Sequence, residues 1–143
     1  MTARLLAVAA VVSLLTAACG DDEPSTSPSD TTTSTGTTIT YAGTLDVGGA
    51  RFYSFTNNAA GSVTAFLASV AAPDSRLPLA VPLELGVGVP AGTDCATTTT
   101  QVVTAGLATQ LSASLAAGVF CLRIADAGEL RAPATFAVRF THP

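Results

Sequence analysis

From Ile39 to the C-terminus, apolar and polar residues alternate with a period of two, and no stretch repeats its apolar positions every three to four residues. That period puts successive side chains on opposite faces of an extended chain, so it predicts half-buried strands. Tyr53 and Phe55 share one face of a short run, and Val63, Ala65 and Leu67 share a face of the next. Leu83, Leu85, Val87 and Val89 alternate with Glu84, Gly86 and Gly88, which predicts one core face and one glycine-rich outer face. Phe120, Leu122 and Ile124 alternate with Val119, Cys121 and Arg123, and Phe136, Val138 and Phe140 alternate with Ala137 and Arg139. The second set in each case, both arginines included, is expected to face outward.

Turn-forming residues separate the runs: Gly48-Gly49, Asn57-Asn58 with Gly61, Pro90-Ala91-Gly92, Ala117-Gly118 and Asp126-Ala127-Gly128. Strands are therefore predicted over 38–47, 50–56, 61–69, 82–89, 100–104, 107–115, 118–125 and 134–141. Seven or eight short strands with one-sided hydrophobicity suit an all-β fold, an antiparallel β-sandwich of two sheets packed face to face. A small closed barrel has the same alternation and remains the alternative.

The N-terminus follows another rule. Arg4 precedes the apolar run Leu5 to Leu15, and Thr16-Ala17-Ala18-Cys19 follows it. About 11 apolar residues are too few for a hydrocarbon layer of about 30 Å, which needs about 20, so the stretch reads as a secretory signal. A cysteine directly after two alanines resembles the lipobox of bacterial lipoproteins, although Thr16 stands where that motif usually has leucine. The resemblance implies removal of residues 1–18, lipid attachment at Cys19 and acylation of the new N-terminus with chains such as palmitate. With about 0.8 kcal/mol from each buried methylene, two or three chains would anchor the protein firmly to membrane lipid. The alternative is an ordinary signal peptide cut after Ala18, leaving Cys19 as a free thiol.

After Cys19, residues 21–38 read DDEPSTSPSDTTTSTGTT, with no aliphatic or aromatic side chain. Such a segment has no hydrophobic face to bury and is expected to be a disordered stalk, reaching roughly 20–25 Å as a flexible coil. The expected organisation is a signal peptide at 1–18, lipidated Cys19 and linker at 19–38, and a sandwich domain at 39–143. The formal net charge is −4, lysine is absent, and Asp21, Asp22 and Glu23 concentrate negative charge beside the anchor. Without clustered basic residues, nucleic acid is not an expected partner.

Once Cys19 carries lipid, Cys95 and Cys121 remain as a pair, and an oxidising compartment favours joining them. With Cys121 on the outward face of its strand, the bond is expected to clip a loop at 90–99 onto the outside of a sheet. Candidate catalytic residues are few. The single histidine, His142, is next to the C-terminus and is expected to be a solvated tail residue, and no Gly-x-Ser-x-Gly turn occurs. Hence no catalytic site and no enzymatic activity are expected. Asp74, Asp94, Asp126 and Glu129 fall in predicted loops; Asp126 and Glu129, flanking Gly128, are the candidate calcium ligands, calcium being the one cofactor considered.

The segments Gly43-Thr44-Leu45, Arg51-Phe52-Tyr53-Ser54-Phe55-Thr56, Gly61-Ser62-Val63-Thr64-Ala65 and Ala117-Gly118-Val119-Phe120-Cys121-Leu122-Arg123-Ile124 resemble the bacterial pre-peptidase C-terminal domain. That resemblance implies a β-sandwich of the kind appended to secreted enzymes, with roles in binding extracellular polymers or in secretion. Two functions follow as expectations. One is a membrane-anchored binding module for a polysaccharide or protein ligand of the envelope or exterior. The other is a structural or accessory envelope lipoprotein acting through a periplasmic protein partner. Gly20, rather than aspartate, follows Cys19, which favours the outer membrane or cell surface over the inner membrane where hosts sort by that residue.

Overall fold

The computed structural model describes residues 36–143. The signal peptide, Cys19 and the stalk up to residue 35 lie outside the described residues. Eight strands follow one another: β1 Thr37–Leu45, β2 Ala50–Asn57, β3 Gly61–Ala71, β4 Leu83–Ala91, β5 Asp94–Val103, β6 Leu111–Leu115, β7 Gly118–Asp126 and β8 Ala134–His142. They form two four-stranded antiparallel sheets, ordered β1-β8-β3-β6 and β2-β7-β4-β5. The protein is an antiparallel β-sandwich with open edges, so the barrel alternative does not apply. No helix occurs among the described residues.

The inner faces carry the residues that the alternation assigns to them. Leu67, Leu83, Leu85, Val87, Leu122, Ile124, Val138 and Phe140 are all completely buried. Phe140 packs its ring on Phe55 from the opposite sheet, with centroids 4.5 Å apart. Each such side chain contributes about 1.5–3 kcal/mol on leaving water. Tyr41 of β1 and Tyr53 of β2 stack at 4.5 Å across one open side of the sandwich. The Tyr53 hydroxyl donates to the Ala42 carbonyl at 3.1 Å, and Arg51 Nε donates to the Thr44 carbonyl at the same distance. Side chains of β2 thus occupy carbonyls along edge strand β1, closing part of an edge that would otherwise invite pairing. Burial and the neighbouring Tyr53 raise the Tyr41 hydroxyl above its ordinary range.

Four expectations need correction. Residues 94–99 are strand, not loop, because the threonine run Thr97–Thr100 has high β propensity but no apolar alternation to reveal it. The strand expected over 107–115 begins only at Leu111. Before it, the Gln110 side chain stands in for a strand residue: its Oε1 accepts the Leu67 N–H at 2.8 Å and its Nε2 donates to the Thr104 carbonyl at 2.6 Å. Val89, expected in the core, is 46% exposed because β4 has stopped pairing with β7 by that point. His142 is buried, not solvated; Thr37 pairs with it in the β1–β8 ladder, and its ring stacks on Phe140 at 5.6 Å.

Candidate functional site

The outer face of the β2-β7-β4-β5 sheet is built mainly from small residues. One rung across it reads Phe52, Arg123, Gly86 and Thr100, and the next reads Ser54, Cys121, Gly88 and Thr97. At Gly88 the ladder between β4 and β7 ends, and the β4–β5 register shifts between Val87 and Gly88. A Cβ at Gly88 would strike the Ala96 carbonyl oxygen and lie 2.6 Å from Thr97 Cα, so only glycine lets β5 approach this closely. Beyond it the hairpin tip, turning at Gly92 with φ 62°, leaves the plane of the sheet and folds across its outer face.

Two contacts hold the tip there. The Cys95–Cys121 disulfide joins β5 to β7 with Cα atoms 5.9 Å apart, and it leaves the outward-facing Cys121 completely buried. Its position outside the hydrophobic core agrees with the sequence reading, although Cys95 belongs to a strand. Asp94 approaches Arg123 Nε at 3.8 Å, while Arg123 also pairs with Glu84 at 2.8 Å. The Asp94 carboxylate further accepts the N–H of Cys95 at 2.8 Å.

Between the folded tip and the start of β2 lies a cleft of about 430 Å³, lined by Ala50, Arg51, Phe52, Thr93 and Asp94. Phe52, at 36% exposed, offers an aromatic face, and Thr93 and Asp94 offer oxygen atoms. The chain comes into β1 at Thr37, paired with His142, whereas Ala50 follows the turn after Leu45 at the other end of that strand. The Ala50 side of the cleft therefore lies towards the opposite end of the sandwich from Thr37.

The remaining candidates separate. Asp74 and Glu129 line a second, more apolar crevice of about 420 Å³, walled by Leu79, Val81 and Leu130 between the β3–β4 and β7–β8 connections. Asp126 organises the β7–β8 turn. Its Oδ2 accepts the N–H of Gly48 at 2.8 Å, and its Oδ1 accepts those of Gly128, Glu129 and Leu130 at 2.9–3.1 Å. These donors, Gly48 first, hold its carboxyl below the ordinary aspartate value. Glu129 meets Asp126 through its backbone amide, and a calcium ion on Asp126 would have to compete with four N–H donors. No group of three or more potential metal-ligating side chains occurs among the described residues. Tyr41 and Tyr53, the aromatics with polar handles, seal the sandwich edge and contribute nothing to the cleft.

No protein-family model matches the chain, and no curated protein matches it. Among solved structures, the chain is similar to the crystal structure of the Yersinia pseudotuberculosis-derived mitogen, with a TM-score of 0.50 and 12% identity, covering 76% of this chain and 87% of that one. A crystal structure from Sulfurospirillum deleyianum gives a TM-score of 0.38 at 8% identity, covering 70% of this chain and 96% of that one. At such identities the first likeness concerns the fold alone.

Proposed function

We propose that this chain is a bacterial lipoprotein, anchored through acylated Cys19, whose β-sandwich is a non-catalytic binding module for extracellular or envelope polymers or proteins. One observation carries the reading: the hairpin tip and the start of β2 enclose a cleft on the outer sheet face that combines the aromatic ring of Phe52 with the oxygen atoms of Thr93 and Asp94. The export signal, the lipobox-like Ala17-Ala18-Cys19 and the polar stalk support the anchoring from sequence. The motifs that resemble the pre-peptidase C-terminal domain fall, apart from Ala117, on β1, β2, β3 and β7, in keeping with the sandwich fold that the resemblance implies.

Protease treatment of intact cells, with a membrane-fraction blot, tests the reading. Digestion of the sandwich on unbroken cells supports a surface role, whereas protection until the envelope is opened favours the accessory reading through a periplasmic partner. Edge strand β5 gives that second reading its own support. After Asp94 it carries no charged residue as far as Val103, which leaves that part of its edge suited to strand addition by a partner protein.

A further inference from the structure

We propose that the cleft takes sugar rings of a neutral polysaccharide, an assignment that rests on the sandwich being a binding module. Its volume of about 430 Å³ lies within the roughly 300–1,000 Å³ of sites that hold small ligands or ligand segments. The charges around it cancel: Arg51 is offset by Asp94 in the lining, and Arg123 by Glu84 behind it. A polyanion or a polycation therefore finds no net attraction. What remains is chemistry suited to vicinal hydroxyls. Each hydroxyl both donates and accepts, so the Asp94 carboxylate and the neighbouring Thr93 hydroxyl, both in the lining, suit two adjacent groups on one ring.

Phe52 supplies the other half of the recognition. It projects from the outer face in register with Arg123, so the flat apolar side of a sugar ring can rest on it while ring hydroxyls reach Asp94 and Thr93. An extended peptide fits this place less well, because strand addition uses an open edge and the cleft is approached over a sheet face. Arg123 acts as a positioning residue. It reaches Asp94 from β7 and does not line the cleft.

The test is migration of the full-length mature protein through native gels containing dextran, soluble β-glucan or hydroxyethylcellulose, with alginate as the polyanionic control. Retardation by at least one neutral polymer, none by alginate, and about tenfold weaker binding for both Phe52→Ala and Asp94→Asn support the assignment; tenfold corresponds to about 1.4 kcal/mol. Thr93→Arg, which fills the cleft from an exposed turn, should weaken binding as well, while Arg139→Ala on the opposite sheet should not. Unchanged melting curves keep misfolding from imitating the result. Retardation by alginate, equal retardation of all variants, or no retardation by any neutral polymer overturns it. If the polysaccharides fail but envelope binding still depends on Phe52, the binding module stands and only the sugar assignment falls.

Discussion

Removing the Cys95–Cys121 bond by Cys95→Ala with Cys121→Ala should lower stability by about 3.5 kcal/mol. The two cysteines are 26 residues apart. In the chain-entropy model, closing a loop of that length removes about 12 cal/mol/K from the unfolded ensemble, which is about 3.5 kcal/mol at 25 °C. Small domains have only about 5–15 kcal/mol in total, so the variant should remain folded but fragile. At about 4–8 °C per kcal/mol, the thermal midpoint should fall by about 14–28 °C. Because the chain has no tryptophan, urea unfolding is best followed by far-ultraviolet circular dichroism. Native-state hydrogen exchange adds the location: amides of the β4–β5 tip should lose protection, while those of Leu67 and Val138 in the other sheet keep theirs relative to global unfolding. A loss below about 1 kcal/mol, or uniform loosening of both sheets, would refute the reasoning that the bond restrains the unfolded chain and pins this tip.

Three further outcomes follow from particular contacts. Phe140→Ala, which empties a fully buried site between both sheets, should cost about 3–5 kcal/mol by urea unfolding. Gly88→Ala forces the β4–β5 hairpin off its fold-over through a backbone clash, so it should destabilise by about 1–3 kcal/mol and also abolish ligand binding at the cleft. Asp126→Ala, losing a carboxylate that caps four backbone N–H groups, should cost about 1–2 kcal/mol near neutral pH. The Asp126 contribution depends on pH with a definite sign. Its folded value lies below the ordinary 3.8, so the stabilisation is complete above 3.8 and is lost as pH falls through the lower folded value. The gap between wild type and Asp126→Ala should therefore be flat above pH 3.8 and close below it, as measured by urea midpoints across an acid series.

How far the fold was legible depended on whether a strand has one wet face. Strands such as β7 and β8, with Leu122 and Val138 inward and Arg123 and Arg139 outward, announce themselves through alternation. Strand β5 does not, since Thr97 to Thr100 carry the same side chain on both faces and the run lies at a sheet edge. His142 was hidden by its position, because nothing local shows that Thr37, more than a hundred residues away, pairs with it. The Cys95–Cys121 pair was legible by elimination, and its outer-face location followed from the parity of Cys121. The cleft was not. It exists because Gly88 lets the hairpin bend and brings Asp94 near Phe52, a juxtaposition of residues 42 positions apart that no motif encodes.

The apolar crevice between the β3–β4 and β7–β8 connections offers an internal comparison for the cleft. It is of similar size, about 420 Å³, but its walls of Leu79, Val81 and Leu130 lack the exposed aromatic face and the held carboxylate. Substitutions there, such as Glu129→Gln, should leave ligand binding unaltered.

The central claim is that the tethered sandwich binds envelope or extracellular material through the cleft of Phe52, Thr93 and Asp94. Co-sedimentation of the purified full-length protein with envelope material from the same bacterium, comparing wild type with the Phe52→Ala/Asp94→Asn variant, tests it most directly. The account predicts that the wild type sediments and the variant stays in the supernatant with an unchanged melting curve. Equal sedimentation of both proteins, or sedimentation of neither, would contradict it.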